Sequence, residues 1–428
     1  MALLLGTLSL LLVASPASAG PAAAGPGHAA RAPWTGTWSA TMTTVPASDD
    51  TTFEDQTLRQ VVRTSIGGDE LRVQLSNTFG TEPLVVGEAR VARQAPGGAG
   101  HRTVPASDRA VRFDGARGVT IPPGESVFSD PVRLSLPEAA DLVVSVHLPE
   151  PTRGNTVQAF SSEENYVAAG NVTGDSTITP TATSDRWHFL SGISVRSRDC
   201  DRPPSAVVTL GDSITVGSSV SANHRWPDFL AERLRSSWSL PDIGVLNQGV
   251  SGNRLLHDPN PPAGHDAEDF AALFGEAGLK RFDRDVLRQP GVEYVVVALG
   301  VNDIGHPASG LVPESERITA EDLIDGYRQL IDRAHDRGLE IFGATIAPFR
   351  DTPLGFDTPE NQSIRQAVNE WIRTSGEYDG VIDFDAALRD PAQPDRLLPA
   401  YDSGDHLHPN DAGNEAMAAA VPLRLFGS

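Results

Sequence analysis

The chain is 428 residues long, 39 % hydrophobic, and carries a formal net charge of −22. That length can bury a sizeable core in two or three domains, and the composition excludes a fibre or a disordered tail. So negative a balance repels polyanions, which excludes nucleic acid and an anionic membrane surface as partners and otherwise speaks for solubility.

Residues 1–19 read as a signal peptide. The apolar run "LLLGTLSLLLVA" is too short to span a bilayer, and Ala17-Ser18-Ala19 follows it as a small-x-small cleavage pattern. The run lacks an early Lys or Arg, so the α-amine is its only positive charge; the expectation is nonetheless a secreted, extracellular protein. No later segment reaches the ~20 apolar residues of a membrane helix, so no stable membrane insertion is expected. Residues 20–33 form a low-complexity, flexible leader, "GPAAAGPGHAARAP".

From residue 34 to 195 the pattern has the period of strands. "QTLRQVVRTSIGGDELRVQLSN" alternates apolar and polar residues on both sides of Gly67-Gly68-Asp69, which predicts a hairpin. "PLVVGEARVAR", "SVFSDPVRLSL" and "ADLVVSVHLP" continue the theme between Gly and Pro signals, and together they predict an antiparallel β-sandwich domain. Residues 196–204, charged and Pro-rich, read as a linker. Cys200 lies there as the chain's one cysteine, so no intramolecular disulfide can form.

Over residues 205–428 the texture changes. Near-continuous apolar strands ("SAVVTLG", "IGVLNQG", "VEYVVVALG", "LEIFGATIAPF", "VIDFD") alternate with amphipathic helical stretches such as "WPDFLAERLRSS" and "TAEDLIDGYRQLIDRAHDRG". This alternation predicts an α/β domain with a parallel sheet covered on both faces, whose functional residues collect at the carboxyl ends of the strands.

Four places answer that rule: Gly211-Asp212-Ser213, "NQGVSGNR" over 247–254, Gly300-Val301-Asn302-Asp303, and a late loop "DHLHPNDAGNEAMAAAV". Singly each reads as a cap or a turn. Jointly they supply the parts of acyl transfer: a serine hydroxyl, an imidazole to take its proton, and a carboxylate to orient the imidazole. Asp405 and His408 stand at i and i+3, a spacing that would pair them on one helical turn; His406 is the rival base and lacks that spacing. The Ser213 and Gly252 backbone N–H groups and the Asn302 amide are candidate oxyanion donors, while Asp303 reads as a cap or turn carboxylate.

"GDSIT", the glycine of "VSGNR", "GVND" and "DHLHP" resemble, in order, the four consensus blocks of the SGNH hydrolases, also called the GDSL lipase/esterase family. The resemblance covers residue 205 to the end. It implies a flavodoxin-like three-layer α/β/α catalytic domain, with Ser213 as nucleophile, Asp405 and His408 completing a triad, and Ser213, Gly252 and Asn302 forming the oxyanion hole. Ile214 departs from the Leu of the "GDSL" form but keeps the position apolar. "APWTGTWSA" and the β-rich segment after it are similar to the N-terminal domain of some secreted bacterial members.

The expected substrates are small-molecule or carbohydrate esters with short acyl groups, with no cofactor and no metal, and with specificity set by loops 257–270 and 349–360. A polysaccharide contact through the β-rich domain is a further expectation. Lipase or phospholipase activity within the family, a metal-dependent phosphoesterase, and a purely polysaccharide-binding protein are the alternatives.

Overall fold

Strand periodicity dictates two packed layers in the first half of the chain. The computed structural model, which describes residues 33–97, 100–161, 163–197, 203–217 and 220–427, shows how they pair. The signal peptide, the leader up to residue 32, Cys200 and most of the linker lie outside the described residues.

One sheet runs in the order Thr35–Ser39, Leu190–Arg196, Gly68–Ser76, Val132–Leu136, with Ser126–Phe128 also pairing Gly68–Ser76. The other runs Ala182–Ser184, Asn165–Ala169, Gln56–Arg63, Asp141–Leu148, Glu88–Arg93, Arg109–Val111. Every pairing in both is antiparallel. Alternate residues (Leu71, Val73 and Leu75 on one strand, Leu142, Val144 and Val146 on another) point into a shared core, where Trp38 and Trp187 meet edge to face at 4.9 Å.

The predicted hairpin at Gly67-Gly68-Asp69 does not form. Gln56–Arg63 belongs to the six-stranded sheet and Gly68–Ser76 to the other, so the chain turns a corner between layers. The corner is held by partners outside the pair of strands. Thr64 N–H donates to the Ala140 carbonyl (2.9 Å), Ser65 N–H to the Thr37 carbonyl (2.9 Å), and Ile66 N–H to Thr37 Oγ1 (2.9 Å).

In the second half five strands, β1 (Ser205–Gly211), β2 (Ile243–Gly249), β3 (Val292–Ala298), β4 (Glu340–Ala344) and β5 (Gly380–Ile382), form a parallel sheet in the order β2-β1-β3-β4-β5. Its residues alternate between two cores. Val207, Val245, Val296 and Phe342 pack with Trp226 and Leu230 of α1 (Trp226–Arg235) and with Met417, while Val208, Leu210, Val295 and Ile341 pack with Leu323, Tyr327, Val368 and Ile372. The latter four lie on α3 (Ala320–His335) and α4 (Pro359–Thr374); α2 (Val301–Ser309) leaves the end of β3, and α5 (Asp411–Ala420) carries Met417. This is the flavodoxin-like three-layer arrangement. The strand order reverses direction at β1, which places the crevice of a doubly wound sheet at the end of the strand that leads to Ser213.

The sandwich and the parallel sheet belong to one compact unit, Ala32–Ser428. Thr35–Ser39, an edge strand of the sandwich, lies along β2, an edge strand of the parallel sheet. The approach is close because both contact positions are glycine: a Cβ on Gly244 would stand 2.0 Å from the Gly36 carbonyl oxygen. Side chains then satisfy the edge. Val245 N–H donates to Ser65 Oγ (3.0 Å), Gln248 Nε2 to Ser39 Oγ (2.8 Å), and Gln158 Nε2 to the Gly249 carbonyl (3.2 Å).

Candidate active site

Strand β1 ends at Gly211, and Asp212 caps the short helix Ser213–Val216 by accepting the Ile214 N–H at 3.0 Å. The rigid strand therefore delivers Ser213 directly into the switch-point crevice. Burial pushes the Asp212 carboxyl up to about 7, against the lowering effect of that hydrogen bond.

The late loop meets the serine. His408 Nε2 stands 2.8 Å from Ser213 Oγ, and His408 Nδ1 stands 2.5 Å from Asp405 Oδ2. The 403–408 segment is not a helical turn. Asp405 reaches His408 by folding its carboxylate back on the loop, where Oδ1 accepts the Leu407 N–H (3.0 Å), the His408 N–H (2.8 Å) and the Ser403 hydroxyl (3.1 Å). Burial alone would raise the Asp405 carboxyl. The hydrogen bonds from the His408 ring and from the His408 and Leu407 amides outweigh it and hold the group well below the usual carboxylate range. His406, in the left-handed region at φ 59°, pairs with Asp402 instead (Nδ1 to Oδ2, 2.5 Å).

Gly252 and Asn302 occupy the ends of β2 and β3. Gly252 has φ 71°, and a Cβ there would stand 2.2 Å from the Phe274 ring, so this turn admits only glycine. Asn302, buried in the first turn of α2, donates Nδ2 to the Asn253 carbonyl at 3.0 Å, which ties the two strand ends together. An amide nitrogen carries two hydrogens, so one stays available to a ligand oxygen. Asp303 is structural: its fully buried carboxylate accepts the Leu255 N–H (2.7 Å) and Leu256 N–H (2.9 Å) and so fixes the same turn.

Gly252, Phe274 and His306 line a small pocket whose walls include Pro259, Asn260 and Pro261 of the 257–270 loop. Burial pushes His306 down to about 3, so it is a neutral wall, packed between Phe274 (5.4 Å) and Phe356 (5.7 Å). The 349–360 loop is anchored from within, since Phe349 and Phe356 are both core residues.

Two participants escaped the sequence reading. Asn253 sits inside a motif already singled out, but its neighbour Gly252 drew the attention. Arg281 gave no signal at all: in "GLKRFDRD" it reads as one more surface charge, yet it is fully buried beside the site. Among the described residues no group of three or more His, Cys, Asp or Glu stands together to hold a metal ion, and no helix is long and apolar enough to cross a membrane.

The profile of the GDSL-like Lipase/Acylhydrolase family matches residues 209–416, a span that includes Ser213, Gly252, Asn302, Asp405 and His408. No curated protein matches the chain. Solved structures similar to it include a GDSL-like lipase from Bacteroides thetaiotaomicron (18 % identity, 52 % of this chain and 87 % of that one, TM-score 0.36). A catalytic mutant of Axe2, an acetylxylan esterase from Geobacillus stearothermophilus, is similar at 19 % identity, over 52 % and 94 % of the two chains, with TM-score 0.37. LAE5, an alpha/beta hydrolase from the metagenome of Lake Arreo, Spain, gives 19 %, 52 %, 95 % and 0.36. Residues 209–416 are thus a GDSL-like lipase/acylhydrolase domain, and the protein is a carboxylic ester hydrolase.

Proposed function

We propose that the protein is a secreted serine esterase that cleaves short-acyl carboxylic esters, including those on carbohydrates, through an acyl-enzyme on Ser213. The observation that carries the reading is the unbroken line of hydrogen bonds from Ser213 Oγ through His408 to Asp405, at 2.8 and 2.5 Å. His408 Nε2 takes the hydroxyl proton as Oγ bonds to the ester carbonyl carbon, and Asp405 holds the Nδ1–H tautomer and steadies the imidazolium. The developing oxyanion is received by the N–H groups of Ser213 and Gly252 and by the free hydrogen of the Asn302 amide. His408 then returns its proton to the departing alcohol, and water repeats the sequence on the acyl-enzyme.

The short-acyl assignment is supported by the aromatic walls beside Gly252, where Phe274 and His306 stand 5.4 Å apart and limit the space next to that oxyanion donor. Export is supported by the residue pattern of 1–19, and a mature chain starting at Gly20 is the expected product of processing. A polysaccharide contact by the sandwich belongs to the same proposal, tested by affinity electrophoresis of the Ser213→Ala protein on acetylated and deacetylated xylan.

The deciding experiment measures hydrolysis of aryl esters from acetate to octanoate, and acetate release from acetylated xylan. Ser213→Ala and His408→Ala are expected to lose about 10³-fold or more in kcat, and His406→Ala to stay near wild type. A serine-reactive phosphonate should label one site per wild-type chain. Undiminished turnover by Ser213→Ala would overturn the mechanism, and a preference for octanoate over acetate would overturn the short-acyl assignment.

A further inference from the structure

Arg281 is a charge that the acyl-transfer scheme does not use, in a place where a charge is costly. Its side chain is fully buried, and burial lowers the guanidinium to about 10, against the raising effect of Asp285 at 3.6 Å. It remains a cation at neutral pH, and each of its three hydrogen bonds goes to a different part of the molecule. Nη2 donates to the Gly211 carbonyl at the end of β1 (3.2 Å), two residues before Ser213. Nε donates to Asn253 Oδ1 in the turn after Gly252 (3.0 Å), and Nη1 to the Thr41 hydroxyl of the sandwich (3.4 Å).

Asn253 passes the restraint on. Its backbone carbonyl receives the Asn302 amide at 3.0 Å, and its own Nδ2 donates to the Phe274 and Glu276 carbonyls at 2.8 and 2.9 Å. Thr41 in turn is hydrogen-bonded to Gln248 on β2. A planar fork with five donors can hold three acceptors at fixed relative positions, which an ammonium cannot. One residue thus spans the strand that bears the serine, the turn that bears one oxyanion donor, and the partner of the other.

We propose that Arg281 is a positioning residue, which fixes the Gly252–Asn253 turn and the Asn302 amide relative to Ser213 and draws the sandwich, through Thr41, into the reaction centre. The inference rests on the reading of Ser213 as nucleophile and of Gly252 and Asn302 as oxyanion donors. Misaligned donors cost most where charge has developed, so the loss falls on kcat and spares KM.

The test uses the full-length protein and a double-mutant cycle on an aryl acetate, with folded enzyme counted by exhaustive phosphonate labelling. Arg281→Met and Arg281→Lys are each expected to lower kcat about 10- to 100-fold with KM within about two-fold. Adding Arg281→Met to Asn302→Ala is expected to cost less than about two-fold more, because the two act as one unit. A kcat for Arg281→Met near wild type would overturn the proposal, and so would losses that multiply in the double variant. Where the Arg281 variants fail to fold, the same cycle with Thr41→Val decides: non-multiplying losses in kcat support the proposal, whereas multiplying losses or an unchanged kcat overturn it. Failure of the underlying reading looks different, since Ser213→Ala would then retain wild-type turnover.

Discussion

Asp405 does more than face an imidazole. Its carboxylate also organises the loop that carries His408, so in the proposed scheme its charge supports folding as well as chemistry. A depressed carboxyl contributes stability above its ordinary value and loses it as pH falls through the lowered one. Asp405→Asn is expected to lower kcat by about 10⁴-fold with little change in KM, because the amide favours the wrong tautomer of the ring. Asp212 has the opposite sign. Raised by burial from 3.8 to about 7, it keeps a proton that the unfolded chain has released, so stability declines as pH rises between those values. Asp212→Asn keeps the capping oxygen and should flatten that decline, worth on the order of a few kcal/mol, in thermal unfolding followed from pH 4 to 8. The pairing of Asp405 with His408 was legible from spacing, but for a different physical cause. The i, i+3 relation works through a side chain accepting backbone amides, where periodicity suggested a turn of helix.

At the scale of elements, composition spoke clearly wherever burial was two-sided. All five apolar runs became the parallel sheet, and the glycine-bearing ends of three of them, β1, β2 and β3, lead into the candidate site. Partnership was harder to read. A period of two identifies a strand but not its neighbour, and Gly67-Gly68-Asp69 signalled a reversal without saying whether it stays in one sheet. What decides is remote: Thr37 and Ala140 hold the corner that separates the two layers. The 349–360 loop shows the same limit, because its two aromatic anchors are invisible until the core closes over them. Phe356 packs against Gly305 and His306, behind the small pocket. Phe356→Ala is expected to cost about 3–5 kcal/mol in denaturant unfolding. The vacated space should also let His306 shift, so the ratio of butyrate to acetate turnover should rise.

Across the whole molecule, the two halves are legible one at a time and their junction is not. Gln248 and Ser39, hydrogen-bonded across it, are 209 residues apart in sequence, and a close backbone approach is made by Gly36 and Gly244, which carry no pattern. Gly244→Ala would force backbone apart along that seam. Overpacking of this kind costs about 1–3 kcal/mol, and a lowered Tm accompanied by a lowered kcat is the expected result. An unchanged kcat would mean that the seam serves stability alone.

That seam also bears on how the protein is made. Synthesis runs from the N-terminus, and the sandwich leaves the ribosome while β2 has yet to be translated. Until then Thr35–Ser39 presents an unpaired strand border to other nascent chains, an invitation to mispairing. Closing the seam is therefore a meeting of distant segments, in which the late half arrives to cover what the early half left open.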